Sequence, residues 1–276
     1  MNFAPPGNFY SPIPDINYIH KHATQIFDRK IKCIPGIELN TKGQCELLKR
    51  FSYYCNSIPF PMRETNGFRY YFENGYFSYG DAVVLYSMIR HFKPEKIIEI
   101  GSGFSSALML DTNDRYFDKN IELVFIEPYP ERLYGLLNEG DDKKNRIIID
   151  SVQNISSDIF NFLNKNDLLF IDSSHIVKLG SDVLYLITQI LPLLNKGVIV
   201  HFHDVFWPFE YPKEWVLAGR AFNESYFLKA FLQFNRAYKI IFFNSYLMTH
   251  FHRMMLKHLP IVYKNPGGSI WLQKNC

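Results

Sequence analysis

Two short stretches carry acids and imidazoles at spacings suited to metal-assisted deprotonation. In residues 167–175, DLLFIDSSH, an apolar run ends in Asp172, with His175 three residues on; in residues 198–204, VIVHFHD, a second run ends in His203 and Asp204. Each run reads as a strand of a parallel sheet. Neighbouring parallel strands bring their ends together, so Asp172 and Asp204 can converge on one ion. His175, His201 and His203 beside two aspartates at predicted strand ends point to a site rather than to three separate structural histidines. His201 falls on the same strand face as His203 and counts as support. His250, His252 and His258 share a helical pattern with Arg253 and Lys257 and read as a solvated basic face.

A third stretch, residues 96–106 with the sequence KIIEIGSGFSS, runs a short apolar strand into Gly101-Ser102-Gly103 and then into a helical pattern. Glycines at such a turn let a ligand lie against bare peptide, and the helix start offers free N–H groups. Glu99 is placed to orient a positively charged amino group. Glu127, ending the next predicted strand, can accept from both hydroxyls of a ribose, or can serve as a helix N-terminal carboxylate beside Pro128. A dinucleotide turn needs a third glycine where this chain has Ser106, which argues against a nicotinamide cofactor. A nicotinamide-dependent oxidoreductase is nevertheless the first rival reading, and a non-catalytic binding subunit that keeps the fold is the second.

The elements that must position these residues alternate regularly from Gly80 onward. Predicted strands over 96–100, 122–126, 146–149, 167–171 and 198–202 are separated by helical patterns, which describes a parallel sheet covered on both faces. Helices are expected over 81–91, after Gly103, after Pro130, over 155–163 and over 179–194. A helix over 224–235 and a final strand pair, 238–243 and 269–272, complete seven strands. Residues 1–79 lack this alternation and read as an N-terminal tail and cap preceding a domain over 80–276. Within the cap, 42–54 has helical spacing, and 66–79, NGFRYYFENGYFSY, reads as a hairpin or a loop closing over a site. The aromatic loop after Asp204, VFWPFEYPKEW, is expected either to wall an acceptor pocket or to form a contact between subunits of a homo-oligomer.

At this length the chain can bury an ordinary globular core. With 47% hydrophobic residues, 21% charged residues and a formal net charge of +3, neither disorder nor nucleic-acid binding is indicated. The four cysteines, Cys33, Cys45, Cys55 and Cys276, lack zinc-knuckle spacing and read as free thiols. No basic region followed by an apolar run opens the sequence, and no apolar stretch reaches membrane-spanning length. The expectation is a cytoplasmic protein without membrane contact.

EIGSGFSS, the acid in FIEPYPERL, the aspartate ending strand four and the seven-strand order together resemble the class I methyltransferases that bind S-adenosylmethionine, over residues 80–276. The resemblance implies a Rossmann-like α/β fold. It also implies that Glu99 and Gly101, Ser102 and Gly103 lie by the methionine part, that Glu127 holds the ribose, and that Asp150 with Ser151 approaches the adenine. Asp172, His175 and Asp204 further resemble the metal-dependent small-molecule O-methyltransferases, especially those acting on sugars of natural products. That likeness implies a metal held by Asp172, His203 and Asp204, and His175 with Asp172 as the catalytic pair, His175 being the base. His203 stands where that pattern often has an acid, so manganese or zinc competes with magnesium. The activity implied is O-methylation of a small hydroxylated acceptor.

Overall fold

The computed structural model describes residues 3–276. Its seven strands are β1 (Lys96–Ile100), β2 (Glu122–Ile126), β3 (Arg146–Ile148), β4 (Leu168–Ile171), β5 (Ile199–His203), β6 (Tyr238–Phe243) and β7 (Ser269–Lys274), in the sheet order β3-β2-β1-β4-β5-β7-β6. Strands β1 to β5 pair in parallel, and β7 runs antiparallel between β5 and β6. The central strands are near-continuous runs of Ile, Leu, Val and Phe because both sheet faces are covered.

Register sets the functional edge. Ile100 lies level with Ile126 on one side and Ile171 on the other, and Ile171 lies level with Phe202. The residues that follow these four strands therefore emerge along one edge of the sheet. The chain runs from β1 outward through β2 to β3, then returns to add β4 and β5 on the other flank. The β1–β4 boundary is thus the switch point where ligands of such sheets settle.

The helices are α1 (Ile16–Ile26), α2 (Thr41–Cys55), α3 (Tyr79–Phe92), α4 (Phe104–Tyr116), α5 (Glu131–Tyr134), α6 (Asp141–Lys144), α7 (Asp158–Asn161), α8 (Asp182–Tyr185), α9 (Leu191–Leu193), α10 (Lys213–Leu217), α11 (Glu224–Leu232), α12 (Asn244–His250) and α13 (His252–His258). A wider turn, Leu186–Ile190, joins α8 to α9. The helix expected to open at Leu179 opens instead at Asp182. Ser181 caps it by accepting from the Leu184 amide, and Leu179 stands 98% exposed. The helix expected after Pro130 is a single turn. The stretch over 66–79 forms no hairpin, because Asn74 organises it as a loop: its Oδ1 accepts from the amides of Tyr76 and Phe77, and its Nδ2 donates to the Phe77 carbonyl.

From the expected cap, Leu48, Phe51, Phe60, Tyr70, Phe72 and Phe77 enter the same core as the sheet. Arg69 ties that segment down. Its guanidinium donates to both oxygens of Asp141, at 2.7 and 2.8 Å, to Asp111 at 2.8 Å and to Asp114 at 3.0 Å. A second, smaller core forms elsewhere: Ile19 of α1 packs with Tyr211 and Val216, flanked by Phe206, Trp215 and Phe222. The segment read as a tail thus contributes α1 to a cluster formed by the loop after β5. The aromatics of that loop, Trp207, Phe209 and Tyr211, are buried, so they are packing residues rather than a free pocket wall or subunit face. Among the described residues, no helix is long and apolar enough to cross a membrane.

Candidate active site

The glycine turn and the end of β4 are built against each other. The Asp172 amide donates to the Ile100 carbonyl at 2.9 Å, and the Gly101 amide to the Ile126 carbonyl at 3.0 Å. Gly101 has φ +80°, and a Cβ there would lie 1.9 Å from the Asp172 carbonyl oxygen, so no other residue fits. The Ser102 amide donates to Glu127 Oε2 at 3.0 Å, while Glu127 Oε1 takes the Tyr129 amide at 2.8 Å. Glu127 is thereby held at the mouth of an open groove of about 560 Å³, lined also by Gly101, Tyr129, Ser151, Asp172 and Ser173.

Two residues expected at the cofactor sit elsewhere. Glu99 is fully buried beneath the turn and does not line the groove. It accepts from Ser106 Oγ, which in turn accepts from the Gly103 amide at 2.9 Å. Burial pushes the Glu99 carboxyl up to about 8 against the hydrogen bonds of Ser105 and Ser106, with the nearby Asp172 charge adding to the rise. A protonated acid under the floor braces the turn rather than orienting an ammonium, and Ser106, where a third glycine would stand, supplies that brace. Asp150 is exposed and points along its own turn, accepting from the Ser151 amide and from Asn154 Nδ2. Ser151 lines the groove; Asp150 does not.

The acid–imidazole constellation does assemble. His175 Nε2 lies 3.5 Å from Asp172 Oδ1 and 3.6 Å from Asp204 Oδ2, and His203 Nε2 lies 3.6 Å from Asp204 Oδ1. On its other side His175 Nδ1 donates to Glu224 Oε2 at 2.8 Å, and Glu224 Oε1 accepts from Ser173 Oγ at 2.8 Å. His175 and Asp204 both hold left-handed backbone, φ +60° and +55°, a cost that the surrounding packing must offset. Part of that hold is visible, since the amides of Asn223 and Glu224 both donate to the His175 carbonyl.

Charge is shared through the cluster. Burial would lower the affinity of His175 for its proton, yet Asp172 and Glu224 raise it well above the ordinary imidazole range. His203 is likewise raised against burial by Asp172, Asp204 and Asp81. Asp172 stays below the usual carboxylate range although burial pushes it up, because His203, His175 and Arg132 pull it down. Asp81, at the start of α3 and fully buried, is pushed up to about 6 by that burial, opposed by the His203 charge.

His201 takes no part in the cluster's hydrogen bonding. It stacks on Phe170 at 3.9 Å and against Trp271 at 4.4 Å with both ring nitrogens unpartnered, and burial holds it well below the ordinary range. It is a neutral core ring beneath His203.

Beyond Asp172 a second, smaller cavity of about 170 Å³ opens, lined by Tyr76, Phe77, Ser102, Arg132, His203 and Asp204. Asp172 borders both hollows. Of the loop over 66–79, Tyr76 and Phe77 line the smaller cavity. Sequence reasoning missed Glu224, which reads as an ordinary first-turn carboxylate, as well as Asp81 and Arg132. Among the described residues, no group of three or more His, Cys, Asp and Glu side chains is arranged to hold a metal ion.

Residues 98–205 match a family model described as a methyltransferase domain. An uncharacterised protein from Archaeoglobus fulgidus is 35% identical over 168 residues, which is 59% of this chain and 74% of that one. Among solved structures, the chain is similar to the SAH-bound Podospora anserina methyltransferase PaMTH1, at 15% identity over 96% of this chain and 99% of that one, with TM-score 0.47. It is also similar to the Streptomyces achromogenes O-methyltransferase TomG, involved in tomaymycin synthesis and solved with SAM, at 12% identity over 94% and 95% of the two chains, with TM-score 0.45.

Proposed function

We propose that this chain, which belongs to the class I S-adenosylmethionine-dependent methyltransferases, methylates a hydroxyl oxygen of a small acceptor such as a sugar or another hydroxylated natural product. One observation carries the reading: Asp172 borders both the groove over the glycine turn and the small polar cavity that holds His203 and Asp204. A cofactor seated on Gly101 with its ribose at Glu127 runs toward that cavity, and an acceptor oxygen there meets Asp172, Asp204 and His203, with His175 Nε2 buried behind the two aspartates at 3.5 and 3.6 Å. Transfer is an in-line displacement at a sulfonium carbon, so the chain's task is alignment and removal of the hydroxyl proton.

His175 is the residue for that proton. Glu224 fixes the Nδ1–H, which leaves Nε2 as the nitrogen that gains or loses a proton on the side facing Asp172 and Asp204. Because the surrounding carboxylates favour the protonated ring, proton acceptance improves as pH rises.

Asp172 and Asp204, with His203 beside them, are the residues that would hold a divalent ion; in the structure both aspartates instead converge on His175 Nε2, at 3.5 and 3.6 Å. When bound, such an ion would lower the pKa of an acceptor hydroxyl.

The test is transfer of label from methyl-labelled S-adenosylmethionine to a panel of small phenols, catechols and sugars, with and without a chelator. Label recovered on an acceptor oxygen supports the reading. Label on nitrogen or carbon, or cofactor binding without turnover across the panel, counts against it.

A further inference from the structure

The basic pattern around Arg253 and Lys257 continues onto a second helix. α13 packs beside α2. On α2, Gln44, Leu47, Leu48 and Phe51 are buried, so Lys42, Lys49, Arg50 and Tyr53 line the opposite, exposed face. On α13, Arg253 and Lys257 stand exposed four residues apart, while Met255 is buried. The two helices thus carry five Lys and Arg against one carboxylate, that of Glu46. Among the described residues, none of the five lies within ion-pair distance of an acid. The crowding is felt at His258, whose imidazole is held below the ordinary range by burial and by the charges of Lys257 and Lys49, one from each helix.

At the end of this face the surface turns apolar. A hollow of about 310 Å³ opens between the end of α2 and the turn Pro260–Tyr263 that follows α13, with Cys55, Ile58, Phe60, Phe72, Pro260 and Ile261 in its wall. Tyr53, two residues before Cys55, is 77% exposed, and Tyr263, two after Ile261, is 68% exposed. A tyrosine suits the boundary between water and hydrocarbon, and a long basic side chain beside it lays its stem on apolar surface while its charge reaches phosphate. Uncompensated cations next to an apolar hollow and exposed tyrosines fit a surface that is anionic in its headgroups and apolar just beneath them.

We infer that the face formed by α2 and α13 docks on a bilayer surface rich in anionic lipid, its cations meeting phosphate headgroups and its hollow taking an apolar segment beneath them. A nucleic acid would satisfy the charge and leave the hollow unfilled. The lack of a spanning helix among the described residues bears on crossing a bilayer, not on lying against one. This face and the candidate active site share one loop, since Phe72 borders the hollow and Tyr76 and Phe77 border the small cavity. The inference goes beyond the proposed activity and does not depend on it.

The experiment is flotation of the purified full chain with vesicles of phosphatidylcholine alone and of phosphatidylcholine with about a quarter phosphatidylglycerol, beside an anisotropy titration with a single-stranded RNA oligonucleotide. The protein should partition onto the anionic vesicles and not onto the neutral ones, and added salt should weaken the binding. Lys49→Gln combined with Lys257→Gln should lower partitioning roughly thirtyfold. Lys143→Gln combined with Lys196→Gln removes the same charge from exposed positions on α6 and before β5, and should change it little. Tyr53→Gln, at a position that folding leaves exposed, should lower it several-fold by removing the interfacial ring. Absence of binding to anionic vesicles, equal loss in the two double variants, or partitioning that Tyr53→Gln leaves unchanged overturns the inference. So does binding to the oligonucleotide, lost in Lys49→Gln with Lys257→Gln, by a protein that ignores the vesicles.

Discussion

His175 and Glu224 meet at 2.8 Å across 49 residues of chain, Nδ1 donating to Oε2. Glu224 is 1% exposed, and its second oxygen is taken by Ser173, so it has no freedom to turn away. It therefore selects which nitrogen of His175 is presented to Asp172 and Asp204. Replacing Glu224 by Gln lets the amide donate to Nδ1 instead, which moves the ring proton to Nε2. The maximal rate should fall by roughly 10²-fold, while affinity for S-adenosylhomocysteine stays as in the wild type. Steady-state kinetics beside calorimetry check this; parallel loss of rate and cofactor affinity would show a general collapse of the site.

Asp172 and Asp204 differ in what else they touch. Asp172 borders the cofactor groove as well as the small cavity, whereas Asp204 borders only the latter. If both hold an ion, Asp172→Asn and Asp204→Asn should each lower manganese affinity, and only Asp172→Asn should also disturb cofactor binding. Titration with manganese followed by its paramagnetic effect on water relaxation measures the first effect. Full activity in the presence of a strong chelator removes the ion from the mechanism and leaves proton transfer to His175.

Glu99 gives the protein a pH-dependent weakness. Its carboxyl ionises near 4.5 when unfolded and at about 8 when folded. Between these values the folded state keeps a proton that the unfolded state has lost, so stability falls as pH rises through that window. Glu99→Gln carries no titrating proton and should flatten the decline. Melting temperatures of the two proteins at about pH 5 and about pH 8 test the sign, and identical slopes would show that Glu99 is not the group responsible.

Arg69 neutralises two buried acids. Its side chain is 5% exposed, and Asp111 and Asp141 are 2% and 9% exposed. Arg69→Met leaves both carboxylates without their partner and should destabilise the fold by about 3–5 kcal/mol. Denaturant unfolding measures it. Because Arg69 anchors the loop that carries Tyr76 and Phe77, the folded fraction should also lose acceptor turnover before cofactor affinity.

The sheet was largely legible in the sequence. The boundaries of β1, β2 and β6 fall where the apolar runs end, because a strand buried on both faces has no other way to be written. The residues brought together at its edge, Asp172, His175, His203 and Asp204, were legible for the same reason: strand ends in a parallel sheet are neighbours. Glu224 was not, since its partnership with His175 depends on how a helix far along the chain returns to the edge. Asp150 and Glu99 were misplaced for opposite reasons. A strand-end aspartate satisfied by its own turn looks the same in sequence as one facing a ligand. Glu99, at a position that alternation aims toward the turn, is drawn beneath it by Ser106. The N-terminal segment, too short of apolar periodicity to be read as more than a tail, forms α1 only because the loop after β5 offers Tyr211 and Val216 to cover Ile19.

That small cluster around Ile19 has its own consequence. It is separate from the main core, yet the Tyr211 hydroxyl accepts from the Ser225 amide next to Glu224, and the Phe222 ring lies 5.0 Å from that of His175. A unit with so few apolar contacts of its own opens at a lower free energy than the sheet it rests on. The wall beside the imidazole can therefore come loose as a subglobal event while the floor stays folded. Substitutions in α1 or α10 would then retune what enters the site without taxing the stability of the strands.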